Sequence, residues 1–208
     1  MFDIIILVTA MPTEAKQARR EQSHERILDA AARALCRDGY AGVGVASVMK
    51  EAGLTHGAFY AHFESREALL AEAVKYAGGK SIERMQARIA GGAAHGVSPL
   101  RALLEGYLSE GHVHAVEAGC PVAALASEMP RTEGGLRDES ARRMRDVVDT
   151  VAGVLPADAP PGSATVIAST MIGAMQMARM FEGEARIEVL RNCSKALLDQ
   201  YDRGPRPA

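Results

Sequence analysis

Apolar residues recur along this chain at the spacing of an α-helix. Between residues 27 and 36 they occupy positions i, i+1, i+4, i+5, i+8 and i+9, which lie on one face of a helix. Ser23 is a suitable N-cap for this first helix, and Gly39 is a suitable residue at which it ends. The first predicted element is therefore an amphipathic helix with one buried face.

Three more helices are predicted between residues 43 and 90. A short second helix ends at Gly53, and a short third helix begins at Thr55. Ser65 is the expected N-cap of a longer fourth helix. Gly78 and Gly79 lie within that helix and form a weak point in it, because glycine has a low helix propensity.

The remainder of the chain predicts five further helices and no strand. They cover residues 99–116, 121–130, 136–155, 163–181 and 186–201. The helix over 163–181 is apolar almost all round, so we expect it to be buried on more than one side. The expected fold is all-α, with about nine helices. On the helix over 136–155 the residues expected to face inward are Leu136, Met144, Val147, Val148, Val151 and Leu155.

Composition and charge are those of an ordinary globular protein, with 48% hydrophobic residues and a net charge of −2. The three cysteines include no CxxC pair, so they form neither a disulfide framework nor a zinc site and suit a reducing, cytoplasmic location. The apolar run from Ile4 to Val8 is too short for a membrane span, and no membrane partner is expected. Residues 1–10 are either an extension upstream of a chain that begins at Met11 or a short segment that packs on a neighbour.

The second and third helices form a predicted helix-turn-helix, and the third carries three of the nine aromatic residues of the chain. Phe59 and Phe63 are four residues apart and share a face, which we expect to be buried. His56 and Tyr60 share another face, where a tyrosine hydroxyl is placed to donate to a DNA phosphate. Gly57 lets the backbone approach the DNA closely.

Residues 26–69, "RILDAAARALCRDGYAGVGVASVMKEAGLTHGAFYAHFESREAL", resemble the DNA-binding module of the TetR family of transcriptional regulators. The resemblance covers about a fifth of the chain. It implies a helix-turn-helix head at residues 20–67, preceded by an extension with a basic arm at 1–19. A ligand-binding and dimerisation domain at 68–204 and a tail at 205–208 would follow. The resemblance to the TetR family rests on matching residues that include Ile27, Leu28, Asp29, Gly39, Tyr40, Gly57, Tyr60, His62, Phe63, Ser65 and Leu69.

The resemblance also implies roles for individual residues of the head. It places Thr55 and Tyr60 on phosphates, His56 and Gly57 at base edges, and His62 and Arg66 near the DNA backbone. The threonine that usually opens the second helix is replaced by Val43, and Gly44 is then the expected N-cap. Ser47 is a possible substitute for the missing hydroxyl. Arg19 and Arg20 are either an arm that reaches DNA or a solvated helix start.

Candidate effector-binding residues lie in the larger domain. We expect a mostly apolar pocket near Tyr107, Cys120, Met171, Met175 and Arg179. The methionines are either adaptable pocket lining or filler in the core and dimer interface. Arg179 is either solvated or placed to meet an anionic ligand. Cys120 precedes a predicted helix start, where it is either a reactive thiol or a small buried residue.

No catalytic motif, cofactor motif or metal site is recognised, because His112 and His114 would point to different faces of a helix. The predicted function is a homodimeric, DNA-binding regulator, not an enzyme. We expect a repressor that a small-molecule effector releases from a palindromic operator. The alternatives are a thiol-based sensor that acts through Cys120 and a helical ligand-binding protein that no longer binds DNA.

Overall fold

The structure, a computed structural model, describes the backbone of residues 11–202 and the side chains of residues 15–202. This part of the chain contains nine α-helices, two short 3₁₀ helices and no strand, which confirms the predicted all-α class. None of the described helices is long and apolar enough to cross a membrane. The first ten residues and the tail at 205–208 lie outside the described residues. The α-helices are α1 Met11–Gly42, α2 Val45–Glu51, α3 Arg66–Ala93, α4 Pro99–Tyr107, α5 Glu110–His114, α6 Pro121–Leu125, α7 Gly134–Ala152, α8 Ser163–Met180 and α9 Gly183–Tyr201.

The head of the molecule packs α1, α2 and the 3₁₀ helix His56–Ala61 around one small core. Gly44 is the N-cap of α2, as predicted. Gly53 follows α2 with a φ of +69°, a conformation that glycine adopts without strain, and turns the chain into the 3₁₀ helix. The fully or almost fully buried residues of this core include Ile27, Leu35, Val48, Met49, Phe59 and Phe63.

The first helix differs from its prediction at the N-terminal end. Ser23 lies inside α1 rather than at its N-cap, because the polar residues before it continue the helix. The predicted basic arm is therefore helical from residue 16 onward. Gly39 does interrupt the helical conformation, with a φ of +73°. The predicted stop is correct at that residue, although α1 resumes helical hydrogen bonding to Gly42.

The long helix α3 connects the head to the rest of the molecule. The Ser65 hydroxyl accepts a hydrogen bond from the Ala68 amide at 3.1 Å, which confirms the predicted N-cap. Gly78 and Gly79 do not interrupt the helix, which is continuous from Arg66 to Ala93, and their destabilising effect on it stays a prediction. A Cβ atom on Gly78 would lie 2.3 Å from Cδ of Arg143, so this glycine makes room for α7.

Two predicted helices of the larger domain are shorter in the structure. The helix predicted over residues 99–116 is divided at Leu108, because the Ser109 hydroxyl accepts a hydrogen bond from the His112 amide and begins α5. The helix predicted over residues 121–130 ends at Leu125, and a 3₁₀ helix, Met129–Arg131, follows it. These breaks bring the connection after α5 back against α3.

The last two helices pack against each other and leave apolar surface uncovered. On α8, Ile167, Met171 and Met175 are fully buried, whereas Val166 and Met177 are about half exposed, at 52% and 51%. Within a single chain, α8 is therefore buried on one side only.

Met144 on α7 is also exposed, at 36%, and its predicted inward orientation was wrong, because Val147 and Val151 form the buried face.

Candidate nucleic-acid interface and ligand cavity

The 3₁₀ helix His56–Ala61 and the two residues after it divide their aromatic side chains between a buried and an exposed side. Phe59 and Phe63 are 2% and 3% exposed, with their ring centroids 5.7 Å apart. Tyr60 is 72% exposed, and its ring meets that of Phe59 edge to face at 5.2 Å. His56 is exposed on the same outer side. The predicted burial of the two phenylalanines and exposure of Tyr60 are confirmed.

The positions around this helix are open to a partner. A Cβ atom on Gly57 would meet nothing within 4 Å. Thr55 is the exposed N-cap of the 3₁₀ helix, but its side chain does not cap it and is available for other contacts. Ser47 on α2 is exposed as well. The DNA contacts assigned to these residues stay predictions.

Two arginines assigned to DNA are engaged within the head. The Arg66 guanidinium donates from Nε to the Val43 carbonyl at 3.0 Å and also contacts the Tyr40 carbonyl. Arg20 donates from Nη2 to the Ala61 carbonyl at 3.0 Å, at the end of the 3₁₀ helix. Both side chains position the segments that they contact. Their contacts with DNA stay predictions, as does that of Arg19, which is exposed on α1.

His62 lies at the edge of the head rather than on its outer face. It is half-buried, with its ring centroid 5.7 Å from that of His24. Burial lowers the pKa of His62, and the charges of His24 and Arg20 act in the same direction. These surroundings favour the neutral form of His62, and its predicted approach to the DNA backbone stays a prediction.

A cavity of about 120 Å³ lies in the larger domain between α3, α5 and the segment that precedes α6. Tyr107 and Cys120, both predicted effector-binding residues, border it. Met171 and Met175 do not border it, because α8 directs them into the core, where they have no exposed surface. Their effector-binding assignment therefore draws no support from this cavity. The other residues that matter at its wall are Arg84, Met85, Arg88 and His112.

His112 holds the two sides of this cavity together. Its Nδ1 lies 2.8 Å from the Tyr107 carbonyl, and its Nε2 accepts a hydrogen bond from the Cys120 amide at 3.0 Å. The accepting role of Nε2 requires the neutral tautomer with the proton on Nδ1. Burial lowers the pKa of His112 to about 4, and the nearby charges of Arg179, Arg88 and Arg84 favour the neutral form further. His114 is exposed, so the two histidines do not converge, as expected.

Two side chains that the sequence assigned to effector binding carry buried polar atoms without a hydrogen-bond partner among the described residues. One is the hydroxyl of Tyr107, a residue that is 2% exposed. Burial raises the pKa of Tyr107 well above its ordinary value, and the nearby Cys120 raises it further, so the hydroxyl keeps its proton. The Cys120 thiol interacts with this hydroxyl but lacks the geometry of a hydrogen bond to it. The other is the guanidinium of Arg179, whose buried Nε and Nη2 are unpaired. Arg179 does not border the cavity, so its effector-binding assignment draws no support from it either.

The cysteines differ in their surroundings. Cys120 is 1% exposed and is the N-cap of α6, the helix start that the sequence predicted. Burial raises the pKa of Cys36 to about 12, so this thiol is protonated and unreactive at neutral pH. Burial also raises the pKa of Cys193. Cys36 belongs to a small buried cluster, as expected, whereas Cys193 is only half-buried against the core.

Two carboxylates near the cavity, one before α6 and one after it, contact the head. Glu117 forms a 2.7 Å ion pair with Arg37 on α1. Glu128 accepts a hydrogen bond from the Tyr40 amide at 2.9 Å, directly after Gly39. The segment between α5 and α6 therefore contacts α1 directly through Glu117, and the segment after α6 contacts it through Glu128.

Sequence reasoning did not single out Glu117, Glu128, Arg84 or Arg88. Their partners are 35 or more residues away or are backbone groups, and no local pattern marks them. His112 was considered only as half of a metal pair.

Two family profiles match this chain. The profile described as bacterial regulatory proteins, tetR family, matches residues 27–73. The profile described as tetracyclin repressor-like, C-terminal domain, matches residues 96–193. The chain belongs to the TetR family of transcriptional regulators. Its match to YerO of Bacillus subtilis (strain 168), described as an uncharacterized HTH-type transcriptional regulator, is 37% identical over 65 residues. That match spans 31% of this chain and 22% of that protein.

Solved structures share the TetR-family fold over nearly the whole chain. The reduced form of NemR from E. coli superposes with a TM-score of 0.71 at 19% identity, covering 89% of this chain and 100% of NemR. A TetR transcriptional regulator from Chloroflexus aurantiacus J-10-FL superposes with a TM-score of 0.69 at 25% identity. It covers 92% of this chain and 100% of its own. The two-part arrangement of head and larger helical domain is therefore that of TetR regulators.

Proposed function

We propose that this TetR-family protein is a homodimeric repressor that binds a palindromic DNA operator and leaves it when a small molecule occupies the cavity beside Cys120. The observation that carries the DNA-binding part is the outer face of the 3₁₀ helix. Tyr60 is 72% exposed although the chain has only nine aromatic residues, and no packing requirement places it there. A stacked Phe59 and Phe63 hold that face in position.

The exposed side of α8 supports the dimer. Val166, Gly173, Met177 and Met180 lie on one face of this helix, and the Met180 side chain is 82% exposed. A Cβ atom on Gly173 would meet nothing within 4 Å in a single chain, so a partner helix could approach closely there. A second copy of α8 and α9 would cover this surface as a four-helix bundle. Two heads could then occupy successive major grooves about 34 Å apart.

The contacts between the cavity wall and α1 support regulation by a ligand. A ligand shifts a conformational equilibrium only if it binds the two states with different affinity. A ligand beside Cys120 would move the segment that carries Glu117, which is paired with Arg37 of the head. A change in this pairing would alter the spacing of the two heads in the dimer and lower the affinity for the operator.

A gel-shift experiment with the DNA upstream of the protein's own gene tests the DNA-binding part. Tyr60→Phe should weaken binding to all sequences about equally, because it removes a phosphate contact. His56→Ala should change the sequence preference instead. If Tyr60→Phe changed the preferred sequence and His56→Ala did not, the two faces would be assigned wrongly. If the wild-type protein bound no DNA, the chain would instead be a ligand-binding protein.

The thiol-sensing alternative depends on Cys120. Cys120 borders the cavity, but the residue is only 1% exposed, and a reactive thiol needs access to its oxidant. Cys120→Ser should therefore release DNA in response to a small molecule as the wild type does. Loss of a peroxide response in Cys120→Ser, with unchanged affinity for DNA, would support the thiol sensor.

A further inference from the structure

Tyr40, in the last turn of α1, is held at each of its three hydrogen-bonding groups. Its amide donates to Oε2 of Glu128 at 2.9 Å, and its hydroxyl lies 2.9 Å from Oγ of Ser140 on α7. Its carbonyl accepts a hydrogen bond from the guanidinium of Arg66, at the start of α3. None of these three partners belongs to α1 or α2. The position of the turn between α1 and α2 is therefore set by the larger domain and by α3.

The glycine at position 39 leaves the space in which the Glu128 carboxylate lies. A Cβ atom on Gly39 would lie 2.5 and 2.8 Å from the two carboxylate oxygens. A hydrogen bond from an amide to a carboxylate is charge-assisted, and it is about twice as strong as one between neutral groups. Tyr40 and Ser140 are 8% and 2% exposed, so water competes little for their hydroxyl contact. Both contacts therefore attach Tyr40 firmly to the larger domain.

Arg66 connects Tyr40 to the residue that leads into α2. Its Nη2 contacts the Tyr40 carbonyl, and its Nε donates to the Val43 carbonyl at 3.0 Å. A planar guanidinium that makes two such contacts fixes the two carbonyls relative to each other. The Arg66 side chain is half-buried, and two of its three nitrogens are used within the protein. This arrangement favours a positioning role for Arg66 over the neutralisation of a DNA phosphate.

The orientation of α2 in turn affects that of the 3₁₀ helix His56–Ala61. The turn between these two helices contains a hydrogen bond from the Leu54 amide to the Met49 carbonyl at 2.9 Å. Met49 and Phe59 belong to one buried cluster. Because buried side chains are closely packed, a shift of α2 would move the 3₁₀ helix with it. A constraint on the turn before α2 is therefore also a constraint on the candidate DNA interface.

We propose that Arg66 and Glu128 are positioning residues for DNA binding, which hold Tyr40 and thereby keep α2 and the 3₁₀ helix in the orientation that binds the operator, without contacting DNA themselves. This inference rests on the proposed function, because the orientation of the head matters only if the head binds DNA. Glu128 follows α6 in the larger domain, and its carboxylate is used by the Tyr40 amide. The role assigned to Arg66 differs from the position near the DNA backbone that the family resemblance implies.

Hydrogen–deuterium exchange of the full chain, followed by mass spectrometry without DNA, tests whether Glu128 holds the turn. In Glu128→Ala the peptides that cover residues 40–44 and 45–53 should exchange about tenfold faster than in the wild type, because a hydrogen bond to a charged group is lost. Glu128→Gln keeps an acceptor and should restore most of the protection. Glu133→Ala removes an exposed carboxylate five residues further along and is the matched control, with exchange as in the wild type. Unchanged exchange of these two peptides in folded Glu128→Ala would overturn the proposal.

The salt dependence of DNA binding separates positioning by Arg66 from a phosphate contact. Arg66→Met and Glu128→Ala should each weaken binding to the upstream DNA by about two- to tenfold, because binding must then order a looser turn. If Arg66 neutralised a phosphate, Arg66→Met would also reduce the slope of log affinity against log salt concentration by about 0.9 per protomer. The positioning role predicts an unchanged slope. Arg145→Met, which removes an exposed arginine of α7, is the control and should change neither quantity. A slope reduced by about 0.9 or more in Arg66→Met would contradict the inference.

The double variant Arg66→Met/Glu128→Ala tests whether the two residues act through the same turn. Its loss of DNA affinity should be smaller than the product of the two single losses, because either change alone already loosens Tyr40. Losses that multiply would mean independent roles and would refute the shared positioning. If the wild type binds the DNA and folded Glu128→Ala binds it equally well, the proposed function stands and this inference fails. If the wild type binds no DNA, the proposed function fails, and the exchange experiment still decides whether Glu128 holds α2.

Discussion

Replacing His112 with glutamine should remove a large part of the pH dependence of stability between pH 7 and pH 5. In the folded protein the His112 ring accepts the Cys120 amide at Nε2 and lies with Nδ1 against the Tyr107 carbonyl. Protonation at Nε2 would place an N–H group against the Cys120 N–H and break this bridge. The amide oxygen of glutamine can take the place of Nε2 as an acceptor, and glutamine does not titrate.

The magnitude follows from the pKa of His112 in the two states. Burial lowers the pKa from 6.5 to about 4 in the folded protein. The unfolded chain therefore binds the proton more readily, and the free energy of unfolding falls as the pH drops from 6.5 towards 4. Linkage with these two values gives a loss of about 1.8 kcal/mol between pH 7 and pH 5, and the whole shift corresponds to about 3.4 kcal/mol.

Urea denaturation at pH 7 and at pH 5, followed by circular dichroism, measures this difference. Wild type should lose about 1.8 kcal/mol more than His112→Gln between the two pH values. The absolute stability of the variant at pH 7 is not part of the test, since the lost contact with Tyr107 lowers it at both pH values. His95→Gln is the matched control, because this exposed ring also lies against a backbone carbonyl, that of Gly91, at 2.9 Å. An equal pH-dependent loss in wild type and His112→Gln would refute the buried, neutral bridge.

Two further predictions concern glycines. Gly39→Ala should lower the free energy of unfolding by about 1–3 kcal/mol from backbone strain, because φ is +73°. The new Cβ would also lie 2.5 Å from the Glu128 carboxylate, and this clash would add to the loss. Gly79→Ala, in open space on α3, should raise the free energy of unfolding by up to about 1 kcal/mol, because alanine has a higher helix propensity than glycine. Urea titrations measure both variants, and a change of stability in the same direction for both would contradict this reasoning. Gly173→Leu should convert the proposed dimer to monomers or aggregates in light scattering, and a wild-type protein that is monomeric at micromolar concentration would remove the basis for this expectation.

Much of the candidate DNA interface could be predicted from local spacing. Residues four apart on a helix share a face, so the burial of Phe59 and Phe63 and the exposure of His56 and Tyr60 followed from the sequence. The engagement of Arg66 with the Val43 carbonyl did not follow, because that acceptor lies 23 positions away. An arginine near a predicted DNA surface has the same sequence pattern whether it binds phosphate or the protein backbone.

The sequence by itself determined the all-α class, the position of the helix-turn-helix and the resemblance to TetR regulators, because these depend on contacts between residues a few positions apart. Only the tertiary structure decided where the predicted helix over 99–116 divides and what surrounds the cavity. Arg84, Tyr107 and Cys120 come from α3, α4 and the segment before α6, and nothing in their local sequence shows that they border one cavity. Their meeting is set by how whole helices pack, and helix packing depends on side chains that are distant in the chain.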